Sequence, residues 1–148
     1  MALTARDLVK HKGKSPKILS IAPDATALDA MKLMAEYNVG ALLVEGANGI
    51  EGILSERDLV RKLDLQSRVA KDTLVREIMT TRVLYVECDQ SLEACMALMN
   101  EKGIRHLPVY DSGNLGGMIS IRDVLREIIT EQKTMISYLE QYIRGGAQ

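Results

Sequence analysis

The decisive stretch of this sequence is Gly52-Ile53-Leu54-Ser55-Glu56-Arg57-Asp58-Leu59-Val60-Arg61, because it returns later in the chain. A shift of 65 positions, from 52 to 117, places it without a gap on Gly117-Met118-Ile119-Ser120-Ile121-Arg122-Asp123-Val124-Leu125-Arg126. Outside the stretch, the same shift pairs Leu33 with Leu98, Leu42 with Leu107 and Val44 with Val109. One register kept over about 40 positions indicates an internal duplication. The chain is therefore predicted to contain two copies of one unit.

Each copy is predicted to have the order β-α-β-β-α. The strands are expected at residues 18–22, 41–44 and 50–54 in the first copy, and at 83–87, 106–110 and 115–120 in the second. Apolar residues at a period of 3.6 predict the helices, and Thr26-Ala27-Leu28-Asp29 predicts a capping box. Short helical leads are expected at 5–11 and 75–79. Helices that cover one face of a mixed sheet give an α/β fold.

The predicted organisation comprises five segments. They are a helical lead (1–14), the first repeat (15–66), a linker (67–76), the second repeat (77–130) and a helical extension (131–148). The last helix is predicted to be amphipathic and longer than a small core requires, continuing through Leu125, Ile128, Ile129, Lys133, Ile136, Leu139, Tyr142 and Ile143. Two interpretations stay open: the extension packs on a partner chain, or it folds back over its own sheets.

Composition excludes several classes of function. The 148 residues are 47% apolar and 26% charged, so the chain can bury a core. Because Trp and Phe are absent and the net charge is −1, a nucleic-acid partner is not expected. The apolar runs are too short to span a bilayer, so no membrane partner is expected either.

The two cysteines, Cys88 and Cys95, form no disulfide framework and no zinc pattern, so we expect neither a metal site nor an oxidising compartment. A cytoplasmic location is the default, with an organelle left open. No nucleophile stands in a catalytic constellation, and no Gly-rich phosphate loop appears. The sequence therefore predicts a protein that is not an enzyme.

The tandem β-α-β-β-α unit, with Gly-apolar-x-Ser-x-x-Asp at its last strand–helix junction, resembles a pair of CBS domains (a Bateman module). The matching pieces are Gly52 to Asp58, Gly117 to Asp123 and Ile104-Arg105-His106-Leu107-Pro108-Val109-Tyr110, and the resemblance covers roughly 15 to 143. More closely, the chain is similar to stand-alone bacterial-type CBS-pair proteins of signal transduction. This resemblance implies two units with pseudo-twofold symmetry in a disc-like homodimer.

The resemblance also implies a ligand and a role. The ligand would be an adenosine compound, with AMP first and ADP, ATP, NAD(H) or S-adenosylmethionine as further candidates, bound without a metal in the cleft between the two domains. The ligand state would be transmitted through dimer contacts or to an unidentified protein partner. The alternative function is a constitutive dimerisation and interaction scaffold whose clefts are vestigial.

The residues at the junction support a nucleotide site on chemical grounds. A strand that ends where a helix begins presents free amides and a positive dipole end, which suit phosphate. The Asp carboxylate can accept hydrogen bonds from a ribose diol, and the Ser hydroxyl can donate to phosphate. Arg57 and Arg122 could add charge. Ser-x-x-Asp is also a plain capping box, and only its duplication favours a ligand role.

The two copies differ where Arg105 and His106 replace Gly40 and Ala41. The resemblance implies that the basic residue before the apolar-Pro-Val strand reaches ligand phosphates. The second site is therefore expected to bind AMP more tightly, while the first is empty, weaker or used by another adenosine compound. His106 is interpreted as a phosphate contact, as a pH-sensitive group, or as a buried or dimer-facing residue.

Aliphatic strand residues are expected to hold the adenine ring. The candidate binding residues are, in the second copy, Val83, Arg105, His106, Pro108, Ile119, Ser120, Arg122 and Asp123, and in the first, Ile18, Gly40, Ala41, Leu54, Ser55, Arg57 and Asp58.

Overall fold

The computed structural model describes residues 3–12 and 19–146, which divide into two compact units. Residues 19–84 form the first-repeat unit, and residues 3–12 together with 85–146 form the second-repeat unit. In chain order the elements are α1 (Ala5–His11), β1 (Ser20–Ile21), α2 (Ala27–Tyr37), β2 (Ala41–Gly46), β3 (Gly49–Ser55), α3 (Glu56–Asp58), a π-helical turn (Leu59–Asp64), a 3-10 turn (Ala70–Asp72), α4 (Val75–Ile78), β4 (Val86–Glu87), α5 (Leu92–Lys102), β5 (His106–Asp111), β6 (Asn114–Ser120) and α6 (Ile121–Gly146).

Each unit contains a three-stranded mixed sheet, with the orders β1-β2-β3 and β4-β5-β6. The first pair of strands is parallel and the second antiparallel in both units. Even the irregularities repeat, because the register shifts after Val44 and again after Val109. The predicted α/β fold with a duplicated β-α-β-β-α unit is confirmed.

The predicted strand at 83–87 is too long, since only Val86–Glu87 pairs with β5. The reason lies a few residues earlier, where Thr80 exchanges backbone hydrogen bonds of 2.8 and 2.9 Å with Ile53 on β3. The segment around Thr80 is therefore still hydrogen-bonded to the first-repeat unit, and the chain joins the sheet of the second-repeat unit only at Val86. In the first copy β1 is also short, and Ile18 lies outside the described residues.

The two helical leads pack on the repeat that does not follow them. The helix α1 precedes the first repeat, yet the amides of Ala5 and Arg6 donate to the carbonyls of Gln90 and Cys88 in the second-repeat unit. The helix α4 precedes the second repeat, yet the amide of Val75 donates to the carbonyl of Ala25 in the first repeat. Each unit therefore combines one repeat with the other repeat's lead.

Both cores are aliphatic, as the composition predicts. In the first-repeat unit, buried side chains of α2, β2 and β3 meet those of α4, among them Met34, Leu42, Leu54 and Ile78. Cys88 and Cys95 are buried free thiols of the second-repeat unit. Burial raises the pKa of the Cys95 thiol, which keeps it protonated and apolar in the core. Within the described ranges, no helix has the length and apolar character needed to cross a membrane.

The chain at Met79 and Thr80 passes so close to β3 that Gly52 has no room for a side chain. A Cβ at this position would lie 2.7 Å from the Thr80 carbonyl oxygen and 2.9 Å from the Met79 sulfur. Because the Thr80 backbone is held by its bonds to Ile53, Gly52→Ala should destabilise the protein by about 1–3 kcal/mol in denaturant unfolding. Gly116→Ala is the matched strand control, since its Cβ would meet only the Val109 carbonyl oxygen at 3.5 Å. Equal stability of the two variants would contradict this account.

Candidate functional site

The strand–helix junction of the first-repeat unit is closed by Asp58. The Ser55 amide and hydroxyl donate to Asp58 Oδ2 at 2.9 and 3.1 Å, and the Asp58 amide donates to Ser55 Oγ at 3.3 Å. Asp58 is only 7% exposed. A buried carboxylate needs compensating donors and charge, so the surroundings of its second oxygen decide what the site can do.

That second oxygen, Asp58 Oδ1, is engaged by the unit's own side chains. Thr80 donates its hydroxyl to it at 3.1 Å, and Lys62 Nζ lies 3.0 Å away. Lys62 also donates to Thr80 Oγ1 at 3.2 Å, which closes a small network. A ribose hydroxyl that used Asp58 would share or displace these donors.

The junction of the second-repeat unit repeats the cap but changes the cation. The Ser120 amide donates to Asp123 Oδ2 at 2.8 Å, and the Asp123 amide donates to Ser120 Oγ at 3.2 Å. Glu127 occupies the position that matches Lys62 and pairs with His11 at 2.8 Å. The cation comes instead from the lead, since Lys12 Nζ lies 3.3 Å from Asp123 Oδ2 and donates to the Met118 carbonyl at 2.7 Å.

His106 lies within the field of this second cluster. Burial of the ring lowers the pKa of His106 to about 4, and the positive charges of Lys12, Arg105 and Arg122 act in the same direction, while Asp123 opposes them. The imidazole is therefore neutral near pH 7, and it does not serve as a switch in the physiological range. Of these charged groups, Lys12 is paired with Asp123, and the side chains of Arg105 and Arg122 are exposed.

The capping box by itself identifies no ligand site in this chain. Thr26 and Asp29 form the predicted box at the start of α2, and Thr4 and Asp7 form another at the start of α1. The Thr26 amide is the main reason why the pKa of the exposed Asp29 is lowered. Asp58 and Asp123 differ from these caps because each is largely buried and paired with a lysine.

The remaining candidate residues occupy several different environments. Leu54, Ile119 and Ala41 are 0% exposed. Their side chains are packed in the cores of the units and have no surface left to contact a ligand. Gly40 and Arg105 contribute backbone carbonyls, which accept from the amides of Glu56 at 3.0 Å and Ile121 at 2.8 Å.

Exposure separates the other candidates. The side chains of Arg57, Arg105 and Arg122 are exposed, whereas Pro108 is buried. Val83 is partly buried and belongs to the first-repeat unit, although it was expected at the second site.

Sequence reasoning missed three donors to the buried carboxylates. Lys62 lies four residues after Asp58, a spacing that brings side chains together on a helix and could have revealed it. Lys12 and Thr80 come from segments distant in sequence, and no local signal marks them. Strand alternation also places Ile53, which is partly exposed, on the same face as Ser55. Ile53 is thus better placed than Leu54 for an apolar contact.

Comparison with known proteins gives a consistent result. The family model of the CBS domain matches residues 5–65 and 75–130. The mitochondrial CBS domain-containing protein CBSX3 of Arabidopsis thaliana is 38% identical over 97% of this chain and 73% of its own length. The CBS domain-containing protein YhcV of Bacillus subtilis is 32% identical over 73% of this chain and 76% of its own length.

Two solved structures show the same likeness. A Burkholderia ambifaria protein with CBS domains, proposed to act in signal transduction, has a TM-score of 0.83 at 48% identity, covering 87% of this chain and 96% of that one. The hexameric CBS-CP12 protein from bloom-forming cyanobacteria has a TM-score of 0.73 at 31% identity, covering 84% of this chain and 71% of that one.

The low pKa of His106 predicts that the free energy of unfolding depends on pH. The folded state holds the pKa of this ring near 4, below about 6.5 for an unfolded chain. As pH falls from 6.5 towards 4, the unfolded state binds a proton that the folded state does not, so stability is lost. Between pH 7.5 and pH 5, the ligand-free parent protein should lose about 1–2 kcal/mol more than His106→Gln in denaturant unfolding. Parallel pH profiles would show that the ring is freely protonated in the fold.

Proposed function

Because the chain belongs to the CBS-domain family and carries two copies of the domain, which is generally a regulatory module, we propose that it senses an adenosine nucleotide. AMP is the ligand that best matches the second-repeat unit. ADP, ATP, NAD(H) and S-adenosylmethionine are the further candidates. The module would transmit its ligand state through self-association or through a protein partner.

The observation that carries this proposal is the charge arrangement around His106. Lys12, Arg105 and Arg122 act on the ring together, against the single negative charge of Asp123. A phosphate group would balance this excess, and an arginine offers it a permanently charged fork. The carboxylate of Asp123 is the natural acceptor for ribose hydroxyls, and only its Oδ2 takes part in the bonds described above.

The first-repeat unit supports a weaker or different interaction. It has Gly40 and Ala41 where the second repeat has Arg105 and His106, so this position offers no side-chain cation for a phosphate. Both oxygens of Asp58 are already bonded to Ser55, Thr80 and Lys62. We propose that this site stays empty with AMP or takes another adenosine compound.

The same satisfied network favours the second candidate function. A site whose carboxylate is fully bonded without a ligand is what a scaffold with vestigial clefts would retain. Under that alternative the protein associates constitutively, and no adenosine compound changes its stability. A ligand bound at 100 times its dissociation constant should add about 2.7 kcal/mol to the free energy of unfolding, so thermal melting separates the two functions.

Self-association has independent support among the relatives. The cyanobacterial CBS-CP12 protein is hexameric, which shows that a related chain assembles from several copies. We propose that this protein forms at least a homodimer, with the disc-like arrangement of CBS pairs as the leading possibility. The compartment is proposed to be the cytoplasm, although the Arabidopsis relative is named as mitochondrial.

Calorimetric titration with AMP provides the test of the ligand site. Asp123→Ala should abolish or strongly weaken AMP binding, whereas Asp58→Ala, the matched substitution in the other repeat, should leave the tighter site intact. Arg105→Gln should weaken AMP about 10- to 100-fold and leave adenosine nearly unaffected, because it removes a charged contact to phosphate. Equal loss of AMP binding in both aspartate variants would contradict the asymmetry, and no binding of any adenosine compound would favour the scaffold.

A further inference from the structure

The second half of α6 exposes a large apolar surface. Every residue from 131 to 145 is exposed, and so are Leu125 and Ile129 in the turns before them. The large exposed side chains on this stretch are Met135, Ile136, Tyr138, Leu139, Tyr142 and Ile143. In proteins, the packing of an apolar face supplies most of the stability of a helix, and within its own chain this stretch packs none of its apolar face. The exposed stripe therefore requires a partner.

The stripe has the spacing of a helix-pairing seam. Ile129, Ile136 and Ile143 recur every seven residues, and Leu139 lies three residues after Ile136. Gln132 lies seven residues before Leu139 and therefore occupies the same heptad position. Positions a and d of a heptad thus run along one face from Leu125 to Ile143. Such a seam fits another helix with the same repeat.

We propose that this seam pairs, in antiparallel orientation, with the same seam of a second copy of the chain. If Ile136 packs against the partner's Leu139, Gln132 meets the partner's Ile143 and Ile129 meets the end of the partner's helix. The two helices then overlap over 129–146. This is the segment in which every side chain described is exposed, so its length matches the overlap.

The charges beside the seam also favour this orientation. Lys133 and Glu140 share the e position, and an antiparallel pair brings e positions together. Lys133 then faces the partner's Glu140, and the twofold axis repeats the pair. In a parallel pair these residues would face the apolar Ile128 and Met135 instead, and neither would find an opposite charge.

The charge balance of α6 argues against a membrane surface as the occupant. Its four basic residues, Arg122, Arg126, Lys133 and Arg144, are matched by the four acidic residues Asp123, Glu127, Glu131 and Glu140. Interfacial helices that bind anionic lipid carry a basic excess instead. A second copy of the chain supplies both the apolar and the charged complement.

This inference specifies an interface for the self-association proposed above, and it holds whether or not a nucleotide binds. The first test compares the 148-residue parent with Ile136→Asp/Leu139→Asp by light scattering at micromolar concentration. The double variant should form an assembly of half the parental mass. Ser137→Asp/Gln141→Asp, on the opposite face of the same turns, should keep the parental mass.

The thermal unfolding of the two units should persist in both double variants, because residues 131–145 are exposed and add nothing to either core. AMP titration of Ile136→Asp/Leu139→Asp should still match the parent, so failure of the interface and failure of the ligand site are distinguishable. An unchanged mass in this variant would overturn the proposal.

Charge reversal tests the orientation. Lys133→Glu and Glu140→Lys should each weaken association at low salt, because each places like charges opposite one another. The double variant Lys133→Glu/Glu140→Lys should restore it. Failure of the double variant to recover would overturn the antiparallel pairing. A monomeric parent that binds vesicles of anionic lipid would show that α6 covers its stripe with membrane instead.

Discussion

A buried carboxylate at the end of a β-strand is the constraint around which each unit is organised. Asp58 and Asp123 satisfy the amides at the start of the next helix, and their burial then requires a cation. The two units meet that requirement differently. The first uses Lys62 from the π-helical turn after α3 and Thr80 from the segment after α4, whereas the second uses Lys12 from the end of α1. Duplicated motifs thus acquired different electrostatic surroundings.

Lys12 belongs to the helical lead but lies beside two candidate ligand-binding residues, Asp123 and His106. Lys12 both holds Asp123 and contributes to the positive field at His106, so a phosphate or ribose at this place would compete for the same ammonium group. The lead also ties His11 to Glu127 on α6. A ligand that repositioned Lys12 would therefore act on the base of the helix whose far end carries the apolar seam. The contacts of Lys12 and His11 thus link the second strand–helix junction to α6 within one unit.

Most of the fold was predictable because its signals are local. The period of 3.6, the turn residues and the duplicated junction gave α1, the sheets and both caps within a few residues. The donors Lys12 and Thr80 were not predictable, because Lys12 reaches Asp123 from the lead before the first repeat and Thr80 reaches Asp58 from the predicted second repeat. The apolar candidates Leu54 and Ile119 illustrate a different difficulty: both are apolar and adjacent to the motif, but strand alternation turns them into the core.

The exchange of leads has a consequence for the order in which the chain can fold during synthesis. The first-repeat unit is complete once Thr80 has been made, since its sheet, α4 and the donors to Asp58 all precede that point. The helix α1 is translated before the first repeat, yet it belongs to the second-repeat unit and must wait for Cys88, Gln90 and β6 before it can dock. Its apolar face, with Leu8 and Val9, stays uncovered while the whole first repeat is translated. A helix that precedes the first repeat in the chain thus docks only after the strands of the second repeat have been made.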